Sequence, residues 1–367
     1  MNGRDRFQRT MHYQTVDRAP MIEVGLWAET QERWLGEGMP AEAQREGPLT
    51  FNGSEFFGLD KQRCLGLNLG MIPAFTTEVL HEDQRTATVR SGEGVVLRNM
   101  KDSPSMPQYL SWPVSGREGF EMMKQRYDAS RPERYPQDWC DLVVWAETRD
   151  CPLWGPAMGS VGFYSMLRRW MGTEKACTVF YDDPCLAEEM LEFIATFTLQ
   201  AMERALSDVE LDYFMWWEDF AFKNGPLVSP EIFKHSLMPR YRRVNEILRH
   251  HGTDVIFLDS DGNVSVLIPL LLEGGVNGTY PVEAAAGMDP VSLRREYGRD
   301  LLLWGGVDKR ALAKGKRAIE EELQAKLPSL LADGGYIPQL DHLAPPDIPY
   351  ENWMFYLGLK RRLLESG

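Results

Sequence analysis

The second half of this sequence alternates short apolar segments with amphipathic helical stretches, and acidic residues follow several of the apolar segments. Successive acids are 40, 24, 25 and 33 residues apart along the series Asp219, Asp259, Glu283, Asp308 and Asp341. A (β/α)₈ barrel uses roughly 30 residues for each strand and its following helix. The spacing therefore predicts a TIM-type barrel. A doubly wound sheet is disfavoured because no glycine-rich nucleotide loop follows a predicted strand.

Six barrel strands are predicted from short runs of leucine, β-branched and aromatic residues that are bounded by turn residues. They lie at residues 152–154, 211–217, 255–258, 278–280, 301–304 and 336–340. A further strand is predicted near the start of the chain, at residues 21–24. We expect it to pair in parallel with the last strand, which would close the barrel.

An antiparallel hairpin is predicted outside the barrel. Residues 86–90 and 95–98 alternate with period two, and the turn sequence Ser-Gly-Glu-Gly at 91–94 joins them. We therefore predict one α/β domain over residues 1–367. Its barrel would be distorted by an N-terminal elaboration and by an insertion at residues 75–140.

Composition limits the kind of partner. The 367 residues carry a net charge of −14, whereas nucleic acid requires a basic surface. The same charge disfavours a substrate with many carboxylates. The five cysteines are odd in number and none follows Cys185, which predicts free thiols in a reducing compartment. Since no apolar run reaches the length of a membrane span, we expect a cytoplasmic protein that binds neither nucleic acid nor a membrane.

Two carboxylates follow the most clearly predicted strand. The apolar run at 255–258 leads into Asp259 and Asp261, which face the same side of an extended chain because side chains alternate. The carboxyl ends of barrel strands form the active-site rim, so both acids are predicted to lie at a pocket. A solvated turn that caps the following helix would have the same residues, and this alternative stays open.

Acidic and aromatic side chains from several strand ends should meet at this rim. Many acids in one concave site raise each other's pKa values or attract a cation. We predict catalytic roles for Glu218, Asp219 and Asp261. Glu218 is the preferred general acid because it follows the aromatic run at 213–217. The predicted substrate-binding residues are Glu23, Trp27, Trp217, Tyr280, Glu283 and Trp304.

Five short segments carry a recognisable pattern. They are Leu-Val-Ser-Pro-Glu-Ile-Phe at 227–233, Asp-Ser-Asp-Gly-Asn at 259–263, Gly-Gly-Val-Asn-Gly at 274–278, Trp-Gly-Gly-Val-Asp at 304–308 and Gly-Gly-Tyr-Ile-Pro at 334–338. Together they resemble the uroporphyrinogen decarboxylase family, which includes corrinoid-dependent methyltransferases. The likeness covers residues 150–365 well and residues 6–20 more weakly. It implies a TIM-type barrel and leaves the reaction open, because one fold hosts many chemistries.

Two branches of that family have features that this chain lacks. The decarboxylases resemble each other in an arginine-rich stretch after the first strand, whereas residues 19–32 here contain no arginine and carry Glu23 and Glu29. The thiol-methylating branch has a His-x-Cys pair where this chain has Asp259-x-Asp261, and a further cysteine at the last strand. The thiolate zinc site of that branch is therefore absent here.

Oxygen and imidazole ligands are the replacement that the sequence offers. Asp259, Asp261 and His342 would form a hard cation site, and zinc accepts two oxygens and one nitrogen with an open position. Two alternatives stay open. Asp341 would face the pocket in place of His342, or Arg294 or Lys309 would neutralise the aspartates without a metal.

The resemblance favours a methyltransferase that moves a methyl group from a small donor, such as a methyl ether, to a corrinoid. The corrinoid-carrier pattern Asp-x-His-x-x-Gly does not occur in the chain, so the corrinoid would arrive on a partner protein. Two alternatives stay open, a decarboxylase-like lyase and a barrel that binds a small molecule without turning it over.

Overall fold

The computed structural model describes residues 1–43, 55–101, 106–157 and 159–366. Within these ranges the strands are β1 (Arg63–Cys64), β2 (Glu78–Glu82), β3 (Thr86–Arg90), β4 (Val96–Met100), β5 (Gln108–Ser111), β6 (Leu153–Gly155), β7 (Tyr213–Trp217), β8 (Ala221–Phe222), β9 (Gly225–Pro226), β10 (Ile256–Asp259), β11 (Gly278–Tyr280), β12 (Leu302–Trp304) and β13 (Tyr336–Ile337).

The α-helices of the same ranges are α1 (Gly3–Met11), α2 (Ala28–Gly36), α3 (Arg117–Lys124), α4 (Trp139–Glu147), α5 (Phe163–Asp182), α6 (Pro184–Asp208), α7 (Pro230–Ile232), α8 (Met238–His250), α9 (Ile268–Glu273), α10 (Pro290–Tyr297), α11 (Lys309–Lys314), α12 (Lys316–Asp333) and α13 (Tyr350–Ser366). A π-helical segment, Phe233–Leu237, joins α7 to α8. Across this part of the chain, no helix combines the length and the apolar character that crossing a membrane requires.

The largest sheet has seven parallel strands in the order β1, β6, β7, β10, β11, β12 and β13. Its strands follow one another along the chain, interrupted by a four-stranded insertion after β1 and by the short β8–β9 hairpin, and helices connect them. A doubly wound sheet would reverse direction at a switch point, and this order does not. The six predicted strands are therefore confirmed, and β1 is an addition that its two residues were too short to signal.

The two edges of this sheet approach each other through residues 21–27. Next to β1, Asp60 donates its N–H to the carbonyl of Met21 at 2.8 Å. At the opposite edge, Leu26 forms an isolated parallel bridge with Ala344. The fold is thus an α/β fold with a curled parallel sheet, similar to a TIM barrel, and the described residues contain no regular eighth strand.

The predicted strand at residues 21–24 is wrong as a regular element, and a side chain accounts for the interruption. Glu23 Oε2 accepts the N–H of Leu340 at 3.2 Å, so a carboxylate takes a backbone donor that a neighbouring strand would otherwise bind. The parallel contact with the last part of the sheet occurs nearer the carboxyl end than predicted, at the bridge between Leu26 and Ala344.

Side chains of the parallel strands alternate between two cores, as the pleat requires. Those that point outward, such as Trp216 and Leu258, pack in the main core with the helices. A second cluster fills the inside of the curled sheet and includes Tyr213, Met215, Phe257, Tyr280 and Trp304.

Helix α1 covers the amino end of the curled sheet. Phe7 and Met11 belong to the inner cluster. Gln8 donates to the Asp212 carboxylate just before β7 at 2.9 Å, and His12 lies 2.9 Å from the Asp254 carboxylate just before β10. With its amino end covered, the inside of the sheet is accessible from the carboxyl end.

The insertion after β1 forms an antiparallel sheet in the order β2, β3, β4, β5. Its centre is the predicted hairpin, in which Arg90 pairs with Val96 across the turn at 91–94. Beyond β5, Val114 donates its N–H to the carbonyl of Trp170 in α5 at 2.9 Å. The insertion is therefore attached to the helix that follows β6.

Candidate functional site

A cavity of about 260 Å³ lies inside the curled sheet at the carboxyl ends of its strands. Four aromatic side chains from four strands shape it, and the Trp154 and Tyr213 rings stack with their centroids 5.6 Å apart. Neither lysine nor arginine occurs among its described lining residues, which are Glu23, Val24, Gln62, Cys64, Trp154, Tyr213, Met215, Tyr280, Trp304 and Gln339. The cavity therefore suits a small, flat, uncharged group.

A hydrogen-bonded chain fixes the polar groups of this cavity. Trp304 Nε1 donates to Gln339 Oε1 at 2.8 Å, and Gln339 Nε2 donates to the Tyr280 hydroxyl oxygen at 3.1 Å. Because Tyr280 accepts from the amide, its own O–H remains a donor, and no acceptor for it lies within the described residues. The predicted substrate-binding residues Tyr280 and Trp304 are thus brought together, with one donor available to a bound molecule.

Asp259 is the last residue of β10, and alternation places its side chain on the same face as Phe257, toward the inside of the sheet. Burial, together with the charges of Asp261 and Asp219, raises the pKa of Asp259 well above its ordinary value. Within the parts of the chain that the structure describes, its carboxyl group has no hydrogen bond or ion pair. Asp259 is therefore a carboxylic acid that favours its protonated form and can donate a proton.

The outer rim carries a different group of residues. Asp261 Oδ2 lies 3.6 Å from His342 Nε2, and this contact is the main cause that raises the pKa of His342. The imidazole also stacks on the Trp27 indole, with centroids 5.8 Å apart and planes 17° apart. The three residues form one rim cluster, in which Asp261 favours the protonated form of His342 and Trp27 presents an exposed flat surface.

The predicted zinc ligands do not assemble as a set. Asp261 and His342 pair with each other, whereas Asp259 points into the sheet. Across residues 1–43, 55–101, 106–157 and 159–366, no group of three or more histidine, cysteine, aspartate or glutamate side chains is arranged to hold a metal ion. The donor set of the described residues therefore does not fit a three-ligand zinc centre.

The alternatives to that zinc site are also resolved by position. Asp341 is buried and accepts the N–H of Ala284 at 3.0 Å, so its carboxylate faces backbone and not the cavity. Lys309 Nζ lies 3.3 Å from Asp341 and 3.8 Å from Glu283. Arg294 binds backbone carbonyls before β13, at the opposite end of the sheet. Neither Lys309 nor Arg294 forms an ion pair with Asp259 or Asp261.

Glu283 holds the loop that follows β10. Its Oε2 accepts the N–H of Gly262 at 2.8 Å, and the glycine is needed there because its φ is +83° and an added Cβ would lie 2.5 Å from the carbonyl oxygen of Ala221. Glu283 is therefore observed shaping the turn between Asp261 and the next helix, whereas we predicted that it binds substrate.

Glu218 is not at the mouth of the cavity. It is 0% exposed, and its carboxyl oxygens accept the N–H groups of Phe163, Tyr164 and Ser165 at the start of α5 and the hydroxyl of Tyr241. Burial raises its pKa to about 7. The predicted raised pKa is present, but these contacts give Glu218 the task of holding the amino end of α5. The alternation of β7 explains the difference, since Glu218 is in phase with the outward Phe214 and Trp216.

Asp219 and Trp217 also lie away from the inner cavity. The Asp219 carboxylate pairs with Arg168 of α5, and the Trp217 ring lies 4.5 Å from the guanidinium carbon of Arg169. Both residues line a second pocket between α5 and the insertion.

Glu23 lines the inner cavity, but its charge is already paired. Lys360 Nζ of α13 lies 2.6 Å from Glu23 Oε1, and the Tyr356 hydroxyl donates to the same oxygen at 2.5 Å. Lys360 is 0% exposed, and burial lowers its pKa. The sequence signalled neither partner, because both stand on a helix more than three hundred residues from Glu23.

Several lining residues were missed by sequence reasoning. Tyr213 and Met215 share the inward face of β7, so alternation along the strand contained the signal. Gln339 follows β13 by two residues, in phase with the inward Ile337. Gln62 and Cys64 had no signal, because β1 is only two residues long.

Comparisons with known proteins agree with this architecture. The family model of uroporphyrinogen decarboxylase (URO-D) matches residues 102–362. The structure is similar to that of a methyltransferase from Methanosarcina mazei, with a TM-score of 0.63 and 15% sequence identity over 99% of each chain. At this identity the likeness concerns the fold. No curated protein sequence matches the chain.

Proposed function

Because this chain belongs to the uroporphyrinogen decarboxylase family, we propose that it transfers a methyl group from a small methoxylated aromatic compound to a corrinoid carried by a partner protein. The similarity in fold to a methyltransferase supports the transfer class. The donor is inferred from the chemistry of the inner cavity, and the corrinoid acceptor from the resemblance to the corrinoid-dependent methyltransferases of the family.

The observation that carries the proposal is the Asp259 carboxyl, which has no hydrogen bond or ion pair in the described chain. It ends β10 in phase with the inward Phe257, beside the strands that line the aromatic cavity. Breaking the bond between oxygen and a methyl carbon leaves the electron pair on oxygen, and an aryl oxide is a poor leaving group. A carboxylic acid within reach transfers a proton to that oxygen as the bond breaks. Burial keeps Asp259 in the protonated form that this step requires.

The remaining cavity residues bind and orient the donor. Trp154, Tyr213 and Trp304 offer flat faces to an aromatic ring, and the free O–H of Tyr280 donates to an ether or phenol oxygen. A reduced corrinoid supplies the nucleophile that accepts the methyl group. The rim pair of Trp27 and His342 lies where a partner that carries it would approach.

The same cavity argues against a decarboxylase of polycarboxylates. Such a substrate needs cationic partners for its carboxylates, and the described lining contains one carboxylate from Glu23 and no lysine or arginine. The alternative of a barrel that binds a small molecule without turning it over predicts no product in the activity assay.

The test uses the purified protein with free reduced cobalamin as acceptor and a panel of methoxyaromatics as donors. The expected result is release of the corresponding phenol together with consumption of the reduced cobalamin, followed by its absorbance. Asp259→Asn should lower turnover by roughly 10²-fold. Asp300→Asn, at an exposed turn, is the matched control and should match the wild type. Binding of methoxyaromatics without any phenol release would leave the non-catalytic alternative.

A further inference from the structure

A second pocket, of about 490 Å³, lies between α5 and the four-stranded insertion. It is larger than the inner cavity and separate from it. Trp217 and Asp219, at the end of β7, form one wall of the pocket. Tyr109 of β5 and Trp112, which directly follows β5, form another. None of the chemistry proposed for Asp259 uses this pocket.

The aromatic wall is built into the fold. Tyr109 and Trp112 stack with centroids 6.0 Å apart and planes 12° apart. Trp112 lies against a kink of α5 at Gly172, where φ is +80° and an added Cβ would lie 2.6 Å from the indole. The kink therefore accommodates Trp112, and the indole becomes a fixed flat surface of the pocket.

Two adjacent arginines of α5 face the pocket and differ in how their charges are balanced. Arg168 pairs with the Asp219 carboxylate. Arg169 donates Nη2 to the carbonyl of Gly159 at 2.5 Å, and no carboxylate of the described chain lies within 4 Å of it. Its Nε and Nη1 have no hydrogen-bond partner in the same residues.

The surroundings of Arg169 favour the binding of an anion to its guanidinium group. Burial lowers the pKa of the Arg169 guanidinium. The exposed Glu93 of the hairpin turn also lines the pocket and acts on Arg169 from beyond ion-pair distance. Glu93 therefore leaves Nε and Nη1 of Arg169 open to a ligand.

We propose that this pocket binds a planar carboxylate, an aromatic acid, with its carboxylate on Arg169 and its ring between Trp112 and Trp217. A guanidinium donates two parallel hydrogen bonds to a carboxylate, which suits the free nitrogens of Arg169. Indole faces suit a flat ring. The site is independent of methyl transfer, since it shares no lining residue with the inner cavity.

Titration calorimetry with benzoate tests the proposal, with benzamide and cyclohexanecarboxylate as probes that lack the charge and the planar ring. Benzoate should bind most tightly. Arg169→Gln should weaken it by roughly tenfold or more, because a charged hydrogen-bonded partner is lost. Arg317→Gln, on the exposed face of α12, is the matched control and should leave the affinity unchanged.

A second variant separates the two cavities. Tyr280→Phe alters the inner cavity alone and should leave benzoate binding unchanged, and thermal melting confirms that each variant is folded. Benzoate affinity that survives Arg169→Gln but falls in Tyr280→Phe would place the acid in the inner cavity and overturn the proposal. Wild-type protein that binds benzamide as well as benzoate, or binds neither, would overturn it too. Loss of phenol release in the methyl-transfer assay has no bearing on either result.

Discussion

At the scale of single residues, two carboxylic acids at neighbouring strand ends differ in their hydrogen bonds. Glu218 accepts three backbone N–H groups and a tyrosine hydroxyl, whereas Asp259 has no such partner within the described chain. Burial raises the pKa of both. The acid without partners is the one that is free to exchange a proton with a ligand, and the acid with partners is structural.

The pH dependence of methyl transfer should report Asp259. The proton donor is lost when pH rises through its raised pKa, so the rate falls on the alkaline side. In Asp259→Asn the residual rate should lose this alkaline limb, because no proton is titrated at that position. Phenol release measured across a pH series checks this. An unchanged alkaline limb in the variant would assign the titration to another group.

Glu218 should make folding stability depend on pH. Its pKa is about 7 in the folded protein, against an ordinary value of 4.5 in an unfolded chain. Below pH 4.5 the side chain is protonated in both states, and its contribution is fully present. As pH rises toward 7 the unfolded chain ionises first, so the free energy of unfolding falls by about 3 kcal/mol. Urea unfolding at several pH values measures this slope.

The matching variant is Glu218→Gln, which cannot ionise. It should flatten the pH dependence of the free energy of unfolding between pH 4.5 and 7, whatever its effect on the absolute value. Asp259→Asn serves as a comparison, since it removes a different buried acid. A Glu218→Gln protein with the wild-type slope would show that Glu218 keeps an ordinary pKa.

Of the ten described residues that line the inner cavity, the sequence identified three, Glu23, Tyr280 and Trp304. Tyr280 and Trp304 were expected at the rim and line the cavity, and Asp259 ends β10 in phase with the inward Phe257. Glu218 was misplaced although the period-two pattern of β7 already turned it outward. For Asp261 and His342 the sequence had no such guide, because both stand beyond the last strand residue, where alternation no longer fixes direction.

At the scale of secondary-structure elements, residues 229–251 show what local rules capture. Ser229 as N-cap and apolar residues at helical spacing predict a helix, and Pro239 inside it predicts a kink. Ser229 caps it by accepting the N–H of Ile232 at 3.2 Å, as expected. The predicted kink at Pro239 takes the form of a π-helical segment, Phe233–Leu237, just before the proline. Proline lacks the N–H that would bond one turn back, so the preceding turn widens.

Helix α13 is attached to the sheet by a charge pair that no local rule could predict. Lys360→Met should leave the Glu23 carboxylate buried without its cation and cost about 3–5 kcal/mol in the free energy of unfolding. The double variant Glu23→Gln/Lys360→Met should cost less than the sum of the single variants. Urea unfolding of the four proteins measures the coupling, and strict additivity would contradict it.

An exposed pair on the same helix is the control for that cycle. Lys316 and Glu351 join α12 to α13 at 3.4 Å, with both side chains more than half exposed. Lys316→Met should change the free energy of unfolding by less than about 1 kcal/mol, because solvent screens the pair.

At the scale of the whole molecule, the spacing of strand-end acids predicted the parallel sheet and its order, because each strand–helix unit is a local repeat. The closure of the sheet was not predictable in detail. It depends on residues 21–27, where the Glu23 side chain replaces a backbone partner of Leu340. Long-range side-chain contacts of this kind leave no periodic trace in the sequence.

Because α1 covers the amino end of the curled sheet, ligands can reach the inner cavity from the carboxyl end. Phe7 and Met11 fill the inner cluster from α1, so in the proposed transfer the donor and the acceptor would both enter from the carboxyl end. Under the proposed function the donor would bind inside the cavity, and a corrinoid on a partner would contact the rim outside it. Trp27 is 43% exposed and stacked on His342, which makes it the flat apolar surface of that rim.

Trp27→Ala should therefore separate the two binding steps. The KM for reduced cobalamin should rise by roughly tenfold, which corresponds to the loss of one aromatic contact. The affinity for the methoxyaromatic donor, measured by calorimetry, should not change, because Trp27 does not line the inner cavity. Tyr181→Ala, which removes an exposed aromatic at the far end of α5, is the control and should alter neither quantity. A Trp27→Ala protein that loses donor affinity and keeps its KM for cobalamin would place the donor at the rim, and the assignment of inside and outside would have to be reversed.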